Sequence, residues 1–438
     1  MKCVRLAAWL VLAAPTPVHA QAAQPIPVDV AKGYFAEARA MCETPRARQL
    51  WGVSLCGPIM FVDAPSHRVV ASQADSNGAL TPLDGVFVGV LPQEQNVANT
   101  AFDWSGVRWT QMEWPLPDDA QRRHTLIAHE LFHRIQPQLA LPPLTRSDNA
   151  HLDELDGRYY MQLEWRALAR ALEAQSDSER RAAALDALAF RAERYRIYPK
   201  AAAQEHALEM NEGLAEYTGV VVGNPTPAQQ NAMALHDLSS HASDPTFVRS
   251  FAYATGPAYG LLLDRYAPAW RGTLAGGAGL DSLLRIALAA KAHAPDVTIA
   301  QRAARYDAAA LHASEASRDS VRQQRVTLYR GEFVNGPTLT LNLRHMSVRF
   351  DPRNLQPLGD DGTVYPAIDV SDDWGMLDAK GGALMRPDWS ALVVQAPKTI
   401  TDTTASGDGW TLELKPGWKL VRGGRAGDYV LSESSSSH

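Results

Sequence analysis

The chain has 438 residues, 46% of them hydrophobic and 21% charged, and a formal net charge of −6. A length beyond the usual single-core limit implies two or three domains, and a mildly acidic balance without long blocks of one sign argues against nucleic-acid or anionic-lipid partners. With only three cysteines the chain cannot build a cysteine-only zinc cluster.

At the N-terminus Lys2 and Arg5 precede an apolar run from Leu6 to Ala14, and Val18-His19-Ala20 places small residues where a signal peptidase reads. Residues 1–20 therefore read as a secretory signal cleaved after Ala20. The run is too short for a permanent span, and no later stretch approaches the length of a membrane helix. The mature chain is expected to be exported, periplasmic in a bacterium or secreted, with no membrane anchor; removing Lys2 and Arg5 from a charge of −6 leaves −8. Cleavage also takes Cys3 and leaves Cys42 and Cys56, which read as a disulfide whose short loop contributes about 3 kcal/mol.

From Pro25 to Trp51 the text is helical or loop-like. Strand signals follow over Ile59–Ser72, Gly85–Leu91, Thr100–Trp104 and Val107–Trp114, the last two joined by a Ser105-Gly106 turn. Thr110–Trp114 is expected to be an edge strand, open to an extended peptide by strand addition.

Helical periodicity dominates from Asp118 to Arg325. Asp118 and Asp119 are N-cap candidates, and Leu126, Ile127, Leu131 and Ile135 recur at helical spacing until Pro137. Inside this helix stands His129-Glu130-Leu131-Phe132-His133, an H-E-x-x-H motif. Residues four apart share a helix face, so two imidazoles can grip one metal ion while Glu130 stands beside it as a base. Chance produces the pattern in a chain of this length roughly once in a hundred times. Catalytic zinc sites carry three protein ligands and leave a position for water. The third candidate lies in Asn211-Glu212-Gly213-Leu214-Ala215-Glu216-Tyr217, within a helical stretch from Ala202 to Val220. Glu212 and Glu216 are four apart, so one can bind metal while the other hydrogen-bonds a ligating histidine; spacing alone leaves the choice open.

H-E-x-x-H followed by N-E-G-x-A-x-Y resembles the gluzincin metallopeptidases. The resemblance implies that Glu212 is the third zinc ligand and Glu216 stands behind it. Tyr253-Ala254-Thr255-Gly256 is similar to a segment of the aminopeptidase-like branch whose tyrosine donates a hydrogen bond in the transition state, which implies that role for Tyr253. The likeness spans three short segments between Asp118 and Gly260. The gap between motifs is longer than in well-known gluzincins, because residues 153–198 insert a segment that reads as a helical hairpin. No G-x-M-E-N segment precedes the motif; Thr110-Gln111-Met112-Glu113-Trp114 lacks its glycine and asparagine, so endo- and exopeptidase action both stay open.

Other histidines carry less. His124 lies five residues before His129 and points elsewhere; His151 and His206 have no ligand spacing and read as surface or cleft residues. Glu164-Trp165-Arg166 reads as part of a packed amphipathic helix. No G-x-S-x-G elbow supports serine chemistry. After Gln324 short alternating runs at Val326–Val334, Leu339–Leu343, Val348–Phe350, Ala391–Val394, Trp410–Leu414 and Tyr429–Leu431 suggest a sandwich-like β domain, ending in a disordered tail at Ser434–His438.

The expected fold class is α+β: a zincin-like unit of twisted sheet (21–117) plus helical lobe (118–325), then a β-rich domain (326–438). The expected function is that of a zinc metallopeptidase acting on a peptide or protein substrate. Zn²⁺ would be held by His129, His133 and Glu212, with Glu130 as general base and Tyr253 as oxyanion donor. The alternative is a non-catalytic exported binding protein with a structural zinc and a β-rich partner-binding domain. Substrate preference and oligomeric state are not encoded in these patterns.

Overall fold

The computed structural model describes residues 26–92, 95, 97–142, 149–289, 297–350 and 355–433. The signal segment and the Ser434–His438 tail lie outside them. Helices take 51% and strands 21% of the chain, so the class is mixed α+β, with a helical region and a strand-rich C-terminal part. No helix among the described residues is long and apolar enough to cross a membrane. The chain divides into two compact units, residues 1–139 and 140–438.

The first unit opens with helices α1 (Val28–Cys42) and α2 (Pro45–Leu50) and continues through β1 (Ile59–Asp63), β2 (Arg68–Ala71), β3 (Thr81–Leu83), β4 (Val86–Val90), β5 (Thr100–Trp104) and β6 (Val107–Trp114) to the motif helix α3 (Ala120–Ile135). The stretch expected as strand over Ile59–Ser72 is two strands, because Asp63 accepts the backbone N–H of Ser66 at 3.0 Å and turns the chain between them. The sheet runs β3-β4-β2-β1-β6-β5, antiparallel except for the parallel pair β1–β6. Strand β1 is buried throughout. Successive side chains of a strand point to opposite faces. Met60 and Val62 accordingly join Val69, Ala71 and Trp109 in one core, and Phe61 stacks on Phe35 of α1 at 4.7 Å from the opposite face.

Strand β6 is not the edge expected for Thr110–Trp114. It pairs with β5 over Val107–Gln111 and with β1 over Thr110–Trp114, so its backbone groups are already used. The edges are β3 and β5.

The second unit begins with the expected hairpin, α4 (Leu155–Glu173) against α5 (Asp177–Ile197). It continues with α6 (Ala201–Leu208), a π-helical turn at Glu209–Gly213, α7 (Leu214–Gly223), α8 (Pro227–Ser240), α9 (Ser250–Tyr266), α10 (Leu280–Ala289), α11 (Ile299–Ala303) and the long α12 (Ala308–Arg330). Val326–Val334, expected as a strand, is the end of α12 and a second π-turn at Gly331–Asn335. Its apolar residues pack as a helix stripe: Val326, Tyr329 and Phe333 lie against Leu358, Val364 and Leu384.

The strand-rich part holds two sheets. One contains β7 (Thr338–Asn342), β9 (Gln356–Pro357), β10 (Thr363–Tyr365), β13 (Ala383–Met385), β14 (Ala391–Gln395), β18 (Trp418–Arg422) and β19 (Tyr429–Glu433). The other contains β8 (Ser347–Phe350), β11 (Ile368–Asp372), β12 (Gly375–Ala379), β15 (Thr399–Ile400), β16 (Thr404–Gly407) and β17 (Trp410–Leu414). Leu339, Leu341 and Leu392 of the first share a core with Leu377, Trp410 and Leu412 of the second, the arrangement of a sandwich.

Candidate metal centre

The motif helix starts where its sequence says it should. The Asp119 side chain accepts the N–H of Arg122 at 2.9 Å, satisfying one of the free donors of the first turn. Ile127, Ala128, Leu131, Phe132 and Ile135 are all buried, which fixes the helix rotation. Both ends are tied to neighbouring chain. Arg123 makes a two-pronged contact with Glu37 of α1 at 2.9 and 3.1 Å, and His124 Nε2 lies 3.1 Å from the same carboxylate. Burial pushes the Glu37 pKa up, but Arg123 and His124 together hold it below its usual value. At the other end Arg134 donates to the carbonyls of Ser54, Leu55 and Cys56. A side chain at Gly57 would collide with that guanidinium at 2.2 Å, so glycine is required there. The disulfide Cys42–Cys56, with Cα atoms 5.2 Å apart, joins this loop to α1.

On this anchored helix His129 and Glu130 are each only 4% exposed. The Nε2 atoms of His129 and His133 lie 3.0 Å apart. Two nitrogens on one tetrahedral zinc, at about 2.0–2.1 Å each, would be roughly 3.3 Å apart, so the rings stand close to a chelating separation. His133 Nδ1 lies 3.0 Å from Gln136 Oε1. An amide oxygen only accepts, so Nδ1 carries the proton and Nε2 keeps its lone pair for a metal. Glu130 Oε1 is 4.0 Å from His129 Nε2.

Glu212 is presented differently. It sits in the π-turn Glu209–Gly213, one of the single-turn irregularities that interrupt α-helices and often mark functional positions. The turn is held from within the second unit. Arg191 makes a two-pronged bond to Glu209 at 2.8 and 2.6 Å, and Thr255 Oγ1 donates to the same carboxylate at 2.7 Å. The turn also touches α9 backbone to backbone: a Cβ on Gly256 would meet Gly213 O at 2.2 Å. That approach sets Tyr253, one turn earlier on α9, against the ligand candidate. The Tyr253 hydroxyl donates to Glu212 Oε2 at 2.7 Å, while Oε1 accepts from Arg249 and Asn211, each at 3.2 Å. Burial, then the Glu212 charge, push the tyrosine pKa well up, so Tyr253 acts as a neutral donor.

His129, His133 and Glu212 each offer one ligand atom, and the three atoms lie within 4.8 Å of one another. Two imidazoles and a carboxylate form a mixed nitrogen and oxygen set that suits a divalent transition ion. Of the other candidates, Glu216 is half-buried on α7 and adds to the negative field around Tyr253.

His151 is not a surface or cleft residue. It is 7% exposed, with Nε2 2.8 Å from Glu205 Oε1. Glu205 belongs to a buried cluster in which Arg194 bridges Glu205 and Glu164, and Arg191 bridges Glu164 and Glu209. Glu164 is thus a fully buried ion-pair partner rather than one polar position of an amphipathic helix; its hydroxyl donor is Tyr259, at 2.8 Å. His206 is half-buried. Sequence reasoning missed Gln136, although its place three residues after His133 puts both on one helix face. Arg249 and Glu209 carry no local signal, since their partners come from other helices.

No family model matches the chain, and comparison with curated proteins and with solved structures finds no match.

Proposed function

We propose that the chain is an exported zinc-dependent metallopeptidase of gluzincin type that hydrolyses bonds in a peptide or protein substrate. The observation that carries the reading is the convergence of His129, His133 and Glu212, with the buried Glu130 beside them. In this reading those three residues hold Zn²⁺. When bound, the ion lowers the pKa of water toward neutrality and polarises the scissile carbonyl. Glu130 takes the proton from the attacking water and passes it to the leaving amine. Gln136 keeps the His133 lone pair directed, and Tyr253 with Arg249 fixes the Glu212 carboxylate. The zincin-like assignment of the first unit rests on the same basis: a twisted sheet whose last strand leads straight into the motif helix.

The test is mass-spectrometric cleavage of a mixed peptide library by the zinc-loaded protein, with Glu130→Gln alongside. Cuts made only by the wild type support the reading and separate terminal from internal cleavage. An active Glu130→Gln variant, or an inert wild type that demonstrably holds zinc, counts against it.

A further inference from the structure

Away from the metal centre, the second unit holds a cleft with about 890 Å³ of empty space, counting its open mouth. Its walls include Asp153, Arg158, Arg318, Arg322 and Arg325. Three of these arginines stand at i, i+4 and i+7 along α12. Like charges at that spacing repel, so the stripe is unfavourable unless a counter-charge joins it. The nearby carboxylates do not neutralise it. Glu315 is taken by Arg158 Nε at 2.9 Å and Gln162 at 2.6 Å, and Asp319 pairs with Arg322 alone. Arg318 spends its bonds on the neutral carbonyls of Asp244 and Pro245.

Arg158 decides what the cleft is for. It is 2% exposed and lies 3.4 Å over the Phe247 ring, yet among the described residues its Nη1 makes no hydrogen bond. Facing Nη1 at 4.0 Å is Asp153 Oδ1, which is also buried and also makes none. Burial, opposed by Glu315 and reinforced by Arg318, brings the Arg158 pKa down to about 10, and burial pushes Asp153 up. A buried donor without a partner costs about 1–3 kcal/mol, more when charged. A bridging water would satisfy both atoms but leave the arginine charge unbalanced.

We infer that this cleft binds a hydrogen-phosphate group, either the free ion or a small phosphomonoester. An unprotonated phosphate oxygen accepts from Arg158 Nη1, a protonated one donates to Asp153 Oδ1, and the α12 arginines balance the remaining charge. Sulfate and carboxylates carry no proton at neutral pH and meet only half of the requirement.

The experiment is calorimetric titration of the full mature chain with inorganic phosphate. The protein is first stripped of metal with EDTA, so that the histidine centre takes no part. Sulfate and glycerol 2-phosphate are run as separate arms, and an Arg322→Gln/Arg325→Gln variant is checked for folding by circular dichroism. Saturable phosphate binding is expected, with sulfate and the folded double variant each weaker by roughly tenfold, the equivalent of one lost charged hydrogen bond. Equal binding of glycerol 2-phosphate would identify a monoester ligand, and its exclusion the free ion. Absence of saturable phosphate binding, equal affinity for sulfate, or indifference to the arginine substitutions would overturn the inference.

Discussion

Tyr253 donates its hydroxyl to Glu212 Oε2 at 2.7 Å, and it can do so because Gly256, three residues on, lets α9 touch the π-turn at Gly213. A resemblance that implied an oxyanion donor therefore finds this tyrosine holding the carboxylate of the candidate metal ligand. The two roles make different predictions. Tyr253→Phe should weaken zinc affinity by about 10- to 100-fold, as loss of a ligand's supporting hydrogen bond usually does. Competition with a chromogenic chelator measures this directly. Unchanged zinc affinity with a collapsed turnover would return Tyr253 to the oxyanion role.

Gly256→Ala probes the same contact from the backbone side. Its Cβ would stand 2.2 Å from Gly213 O, with no flexible side chain to give way. Separation of α9 from the π-turn should cost about 1–3 kcal/mol of stability and also loosen zinc binding. Urea unfolding with and without zinc reads both effects; a variant as stable as wild type would show that the two backbones do not need this approach.

Gln136→Leu removes the acceptor that keeps the proton on His133 Nδ1. Zinc affinity should fall by about tenfold or more while the fold stays intact, with peptidase activity regained at excess zinc. Activity that stays low under saturating zinc would place Gln136 in the chemistry instead.

Arg194→Met leaves Glu205 and Glu164 buried without one of their cations, which should cost about 3–5 kcal/mol in chemical denaturation. Adding Glu205→Gln to the variant should recover part of that loss.

Acid should act through the same pair. Burial raises the Glu205 pKa, but the Arg194 charge and hydrogen bonds, with His151, outweigh it and hold the group below its usual value. A carboxyl whose folded pKa lies below its unfolded one contributes its full stability above the unfolded pKa, about 4.3 for glutamate, and loses it as pH falls further. Unfolding free energies measured at pH 7 and at pH 3.5 should therefore differ more for wild type than for the Arg194→Met/Glu205→Gln protein. An equal drop in both would assign the acid sensitivity to other groups.

The sequence by itself determined what a single helix or a short loop can encode. His129 and His133 are four apart, and an α-helix turns that spacing into one face whatever surrounds it; Asp119 caps the helix through its own third-next backbone N–H. The α4–α5 hairpin and the pairing of Cys42 with Cys56 were legible for similar reasons, since periodicity, an even cysteine pair and a short loop are local facts. Tertiary structure alone decided the rest. No local pattern distinguishes a π-turn from an α-helix at Glu209–Gly213, because what holds it is Arg191 from α5 and Thr255 from α9. Val326–Val334 alternates well enough for a strand, but its apolar stripe finds Leu358 and Leu384 only as a helix. Strand β6 lost its edge to β1, a partner far back in the chain. Glu164, His151 and Arg158 look like surface polar residues in a linear text, and their burial is tolerable only because charges from separate helices meet them. Period and spacing fix geometry within an element, whereas the partner that makes a buried charge or an irregular turn stable arrives through space.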